Sequence, residues 1–305
     1  MLWMIRKGLC LLGVVPAALP LLCVLPNDSL AELDQERNFD APLEIRIPPR
    51  LDPVFYHRNA YSIALLENAL SKSGLNYQLQ DSDIPIGNVA RIRRLISKGE
   101  YSVSWIHTSN DIEEELLPIR IPLFKGIIGW RIAFVRSESV PAFAQIRQIK
   151  DLQKFVAVQG FDWPDVAIME NSGLKVRVGV GLPNVRQLFL NRRADYFPRS
   201  ISEIWDEMEY HYGEGVVVEQ SLAIYYPSAV YFFVSRENPD LARRIEQGME
   251  RSIQDGSFNQ LFFRYFGEAI DKAHLPARNV IYLENPHLPE KTPLAREELW
   301  FHQND

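Results

Sequence analysis

Residues 238–267 read NPDLARRIEQGMERSIQDGSFNQLFFRYFG, and the reading of the whole chain turns on this stretch. Asn238 ahead of Pro239 and Asp240 is a helix start, because its amide can cap exposed backbone N–H groups and Pro suits the first turn. Leu241, Ile245, Met249 and Ile253 then recur four apart and draw one apolar stripe along a helix. Gly256 ends it, and Ser257 opens an aromatic helix from Phe258 to Phe266 that Gly267 should stop. Phe258, Phe262, Phe263 and Phe266 read as core. Just upstream, Ala229 to Val234 is an unbroken apolar run, the mark of a buried strand.

Leu43-Glu44-Ile45-Arg46-Ile47 alternates apolar and polar residues and is a strand closed by Pro48 and Pro49. A loop follows through Asp52, Tyr56 and His57. Ile63, Leu66 and Leu70 mark a helix that Gly74 ends, and Tyr77 to Leu79 a strand. Val89, Ile92 and Ile96 mark a second helix ending at Gly99, and Tyr101 to Trp105 a further strand. This β-α-β-α-β order predicts a parallel sheet flanked by helices. A comparable unit comes next, with strands at Arg131–Val135, Phe155–Gln159, Val176–Val180 and Val216–Glu219. Its helices run from Trp163 to Gly173 and from Pro183 to Arg193, and Ser200-Ile201-Ser202-Glu203 is a capping box opening another through Tyr210. Residues 271–305, punctuated by Pro276, Pro286, Pro289 and Pro293, read as an extended tail on the surface.

Composition sets the class. Of 305 residues, 47% are apolar and 24% charged, which excludes a largely disordered chain. The formal net charge is −6 with both signs intermixed, so the basic face of a nucleic-acid binder is not expected. Arg6 and Lys7 precede an uncharged run from Gly8 to Leu25, and Ser29-Leu30-Ala31 places small residues at a cleavage site. That order reads as a secretory signal peptide, residues 1–31, cut after Ala31. An uncleaved anchor is the alternative, disfavoured by the short run and by Pro16 and Pro20 within it. Both cysteines, Cys10 and Cys23, fall in the removed segment, so the mature chain has no thiol, no disulfide and no Cys-based metal site. Residues 32–42 are a polar leader.

The order of elements resembles the periplasmic solute-binding proteins of family 3, the amino-acid-type binding subunits of ATP-driven importers. The resemblance covers about residues 43–267. It rests on Asn238-Pro239-Asp240-Leu241, on Asp255-Gly256-Ser257-Phe258 and on Tyr265-Phe266-Gly267, with Leu95 to Thr108 as a second marker. It implies an α/β, two-lobed periplasmic-binding-protein-like fold of type II, whose lobes are joined by two crossing hinge strands. Lobe 1 would be discontinuous, residues 43–133 with 224–270, and lobe 2 would be residues 134–223. It also implies a monomer in the periplasm that captures a small ligand between its lobes for an inner-membrane permease or receptor.

Candidate ligand contacts follow from residue type and position. Trp105 and Thr108 end a strand on the side where open parallel sheets bind ligands. Gly160 to Trp163 precedes a helix with Pro164 in its first turn, so free N–H groups there could meet an anion while Trp163 covers it. Tyr56 is the candidate for an opposing aromatic wall, and Arg199 for a bidentate anion contact. From the resemblance, Asp195 occupies a place where the family often receives a ligand amine. The resemblance also leads one to expect an Arg soon after Thr108 for a ligand carboxylate, but Ser109-Asn110-Asp111-Ile112-Glu113-Glu114-Glu115 stands there. Arg131 is the candidate substitute. Glu113 to Glu115 read as a solvated helix face.

No His-x-x-x-His motif, nucleophile elbow or phosphate loop occurs, so neither a metal nor any other cofactor is expected. The primary expectation is a binding protein for a small polar, amino-acid-like or carboxylate ligand. A ligand sensor for a membrane receptor is one alternative. The other is an exported dehydratase of the cyclohexadienyl type on the same scaffold, with Glu113, Asp165 or His107 as its acid.

Overall fold

The computed structural model describes residues 41–50, 56–209 and 212–303. The segment read as a signal peptide and nearly all of the leader lie outside the described residues, as do the side chains of Tyr56 and His57. Alternation in the first segment produces β1 (Leu43–Ile47), whose Ile45 and Ile47 are fully buried. Next come α1 (Tyr56–Ser73), β2 (Tyr77–Asp81), α2 (Val89–Ser97), β3 (Val103–His107), α3 (Asn110–Glu115) and β4 (Leu116–Ile119). Tyr56 and His57 therefore open α1 instead of lying in a loop. Asn88 caps α2, its side chain accepting from Arg91 N at 2.9 Å.

The middle of the chain forms β5 (Trp130–Arg136), α4 (Val140–Phe143), α5 (Ile149–Leu152), β6 (Val156–Gly160), α6 (Pro164–Asn171), β7 (Lys175–Gly179) and α7 (Gly181–Leu190). It continues through β8 (Tyr196–Ser200), α8 (Ile204–Glu209), β9 (Val216–Val218), β10 (Leu222–Tyr225) and β11 (Val230–Ser235). The last elements are α9 (Pro239–Gln254), α10 (Ser257–Ala273) and β12 (Asn279–Tyr282).

Three sheets result. β1 and β2 pair in parallel, and Ser102 N donates to Arg46 O at 2.8 Å to hold β1 beside the start of β3. A second sheet has the order β3-β11-β4, both pairings antiparallel. The third is seven-stranded, β12-β10-β5-β8-β6-β7 with β9 on β5, and it mixes parallel and antiparallel neighbours. The parallel pairs that β-α-β order predicts are present at β1–β2, β6–β7 and β6–β8. The antiparallel ones arise where the chain passes between the second and third sheets, from β4 to β5 and back from β10 to β11.

The stripe on α9 behaves as its spacing requires. Leu241, Ile245 and Met249 are buried and Ile253 half-buried, each fully buried side chain contributing roughly 1.5–3 kcal/mol. Asn238 caps the helix by accepting from Leu241 N at 3.3 Å. Of the four phenylalanines read as core, Phe258, Phe262 and Phe266 are buried, but Phe263 lies on the exposed side of α10. Gly267 does not stop α10, which runs to Ala273 and ends at His274 with φ +48°. A helical Gly costs only about 1 kcal/mol, and the buried Ala273 continues the inner face beyond it.

The C-terminal stretch differs from a surface tail. Asn279–Tyr282 adds β12 in parallel to β10, with Leu222 opposite Asn279. The chain then returns to α9, where Arg296 Nη1 lies 2.6 Å from Glu250 Oε1, and buries Leu299, Trp300 and Phe301. The Trp300 ring covers Gly126, a glycine at φ +72° whose Cβ would stand 2.5 Å from that ring. Low periodicity hid this, because the segment docks through single anchors and not through a repeating stripe.

Candidate functional site

A cavity of about 240 Å³ lies between side chains of the second and third sheets. On one side are Ser104 to His107 of β3 with Arg58 and Asn59 of α1; on the other are Arg131 of β5, Trp163 to Asp165, Arg199 of β8 and Glu203. Trp105 and Trp163 supply large apolar area. The Trp105 indole N–H donates to Asn59 Oδ1 at 3.1 Å, which fixes the amide. Trp163 lies over Gly160, where any Cβ would stand 2.5 Å from the indole, and is stacked at 17° to Phe197.

The charged groups form one buried network. Arg131 Nη2 is 3.0 Å from Asp165 Oδ1, and its Nε donates to the Tyr226 hydroxyl at 2.7 Å. That hydroxyl in turn donates to Asp165. Arg199 Nε contacts both carboxylate oxygens of Glu207, at 3.0 and 2.9 Å, and its Nη2 is 3.1 Å from Glu203 Oε2. Arg58 donates to Glu203 Oε1, and Arg131 Nη1 is 3.7 Å from Oε2 of the same carboxylate. The Arg199 guanidinium also stands over Trp163, 4.7 Å from the ring centroid. Burial works against every charge here, yet the neighbouring carboxylates raise the pKa of Arg131.

His107 faces the cavity from the end of β3, its Nδ1 3.3 Å from Ser228 Oγ. Enclosure first, then the charges of Arg58 and Arg131, lower its pKa from 6.5 to about 4. The folded state thus favours neutral imidazole. Stability linked to this ring is fully present above pH 6.5, falls as the pH drops toward 4, and is gone below it. His107→Gln is expected to flatten that part of the melting-temperature profile against pH, and an unchanged slope between pH 6.5 and 4 would refute it.

The residues singled out from sequence separate into two groups. Trp105, Arg131, Trp163 and Arg199 line this cavity, and Gly160 lies directly beneath Trp163. Thr108 lines an adjoining concavity of about 490 Å³ that shares His107, Asp162 and Trp163 with the first. Its hydroxyl donates to Glu113 Oε1 at 2.7 Å. Asp195 stands at the opposite end of β8, where Oδ2 accepts from Val156 N at 2.8 Å. The side chain of Tyr56 lies outside the described residues.

Three local expectations change. Phe161 N donates to Gly179 O and Trp163 N to Gly160 O, both at 3.0 Å, so these N–H groups are engaged within the backbone. Glu113 is not solvated: its carboxylate is 8% exposed and pairs with Arg120, whereas Glu114 and Glu115 are exposed. Ser200 to Glu203 forms no capping box either. Ser200 Oγ accepts from Ser202 N at 3.1 Å, and the Glu203 carboxylate turns to the arginines. Arg58, Asn59 and Tyr226 carried no signal in the sequence, because helix and crossing-strand spacing say nothing about which cavity a polar side chain meets.

Among the described residues no cluster of His, Cys, Asp or Glu could hold a metal ion, and no helix is long and apolar enough to cross a membrane. No protein-family model matches the chain, and no curated protein matches it in sequence. Solved structures do match. The ligand-binding core of GluR0 in complex with L-glutamate has a TM-score of 0.55 at 13% identity, over 74% of this chain and 98% of that one. An ancestral arginine-binding protein bound to arginine gives 0.53 at 13% identity, over 75% and 99%. The probable amino-acid ABC transporter extracellular-binding protein ytmK from Bacillus subtilis gives 0.57 at 13% identity, over 74% and 99%. The likeness read from residues 43–267 therefore holds in three dimensions, and the chain has the two-lobed α/β fold of the family 3 periplasmic solute-binding proteins.

Proposed function

We propose that the protein is an exported, monomeric binding protein that captures a small polar solute between its lobes and presents it to an inner-membrane permease of the ABC type. The signal peptide would end at Ala31 and the protein would act in the periplasm. Lobe 1 would comprise residues 43–133 and 224–270, and lobe 2 residues 134–223. The observation that carries this reading is the cavity itself, walled by Trp105 and Asn59 from one sheet's side and by Trp163, Arg131 and Arg199 from the other. A ligand touching both walls favours the closed arrangement by its differential contacts, with no covalent step.

Two of the solved structures with this fold hold L-glutamate and arginine, which supports a solute of metabolite size. The test is a metabolite screen by thermal shift, with X-ray scattering on each hit. A hit should raise the melting temperature and reduce the radius of gyration, and Trp163→Ala should abolish both effects. A broad screen without hits, or hits indifferent to Trp163→Ala, would refute the reading.

A further inference from the structure

The three arginines at the cavity each already have a carboxylate of the protein. Arg131 has Asp165 at 3.0 Å, Arg199 has Glu207 and Glu203, and Arg58 has Glu203. Asp162 adds a further acidic group to the lining. A ligand carboxylate entering here would lose its hydration, find no guanidinium without an anion, and meet Asp165 and Glu203 as like charges. Desolvating an ion without a matched partner costs several kcal/mol. Beyond the α3 turn, Arg120 is likewise taken up by Glu113, its Nε donating to Oε2 at 3.0 Å.

Besides Glu203 Oε2, which has Arg199 Nη2 at 3.1 Å but no hydrogen bond, the lining leaves a neutral group available. Asn59 is 5% exposed, its Oδ1 is occupied by Trp105, and its buried Nδ2 has no hydrogen-bond partner. A buried amide N–H₂ without an acceptor is costly, and an acceptor presented from the cavity beside it would remove that cost. The remaining surface is dominated by the two indoles and by Ile86, Ile106 and Ile128.

Resting on the solute-binding reading above, we infer that this cavity selects an uncharged, ring-sized ligand whose carbonyl-type oxygen accepts from Asn59 Nδ2, and that it rejects carboxylates and amino-acid zwitterions. The built-in carboxylates hold the arginines as scaffold, and the indoles provide contact area for a flat, apolar face.

Matched probes test this directly: nicotinamide against nicotinate, benzamide against benzoate, and uracil against orotate, by thermal shift and calorimetry on the mature chain. The uncharged member of each pair should bind at least tenfold more tightly. Asn59→Ala should weaken it about tenfold, the worth of one lost hydrogen bond into a buried site. Asp165→Asn, which leaves Arg131 without its closest anion, should improve the carboxylate member at least tenfold. If Asp165→Asn does not melt cooperatively, Asn59→Ala carries the test. Carboxylates binding as well as their amides, and losing that binding in Trp163→Ala, would overturn the inference and leave the solute site standing. Amides bound indifferently to both Trp163→Ala and Asn59→Ala would overturn the site as well. Pairs in which neither member binds would overturn the ligand class, while the metabolite screen still decides the site.

Discussion

A Glu203→Ala protein is expected to lose about 3–5 kcal/mol of folding stability, as measured by urea unfolding near neutral pH. The carboxylate is 8% exposed and lies within 3.1 Å of Arg199 Nη2, with Arg58 on Oε1 and Arg131 beyond. Removing it leaves three guanidinium groups facing one another out of water. Among the described residues, Asp165 and Glu207 would then remain close to Arg131 and Arg199. Burial alone would raise the Glu203 pKa, but Arg199, Arg58 and Arg131 outweigh it and hold the group at about 2.

The linkage follows in sign. A carboxylate with a depressed folded pKa contributes stability that is whole above its unfolded value of 4.5 and is lost as the pH falls toward 2. Glu203→Ala should therefore be less acid-sensitive than the parent over that window. Glu203→Gln, which keeps volume and one acceptor, should fall between the two. A loss under about 1 kcal/mol for Glu203→Ala would place this residue among ordinary exposed ion pairs and contradict the network.

The second large effect concerns the C-terminus. Trp300→Ala should cost about 3–5 kcal/mol, the range for deleting a buried aromatic side chain. Trp300 is 5% exposed, its indole N–H donates to Pro293 O at 2.9 Å, and its ring fills the space above Gly126. The flanking bonds depend on it: Phe301 N donates to Lys125 O at 2.7 Å, and Lys125 Nζ donates to Glu298 O at 2.6 Å. Substitutions on a surface tail stay within about 0.5 kcal/mol. A Trp300→Ala protein that unfolds at the parent's urea midpoint would return this segment to that status.

What sequence reading reaches here is what repeats. The stripe on α9, the alternation in β1 and the apolar run of β11 each bury a periodic face, and period is visible in one dimension. Strand β8 escaped because Tyr196-Phe197-Pro198-Arg199-Ser200 carries a proline, which argues against a strand with neighbours on both sides. The fold accommodates it by pairing Pro198 with Ala133 of β5 and sending the Gln159 side chain to Pro198 O at 3.1 Å on the β6 side. The cavity was half legible. Aromatics and arginines near strand ends stood out, whereas the pairing of Arg131 with Asp165 and of Arg58 with Glu203 joins residues far apart in the chain. The Ser-x-x-Glu spacing points Glu203 to a local cap, since the nearest explanation for that spacing is its own helix. The docking of the C-terminal segment is invisible to such a reading because its anchors, Trp300 among them, do not recur.

The sheet order β3-β11-β4 has a bearing on how the chain is completed. Neither β3 nor β4 pairs with the other; both wait for β11, so His107 finds its ladder partner only at Val230 and Leu116 only at Ser235. Until that late strand arrives, two apolar segments carry open edges, and the long loop closure makes their pairing slow. A chain interrupted before Val230 holds those edges unpaired, in a form prone to edge-to-edge association.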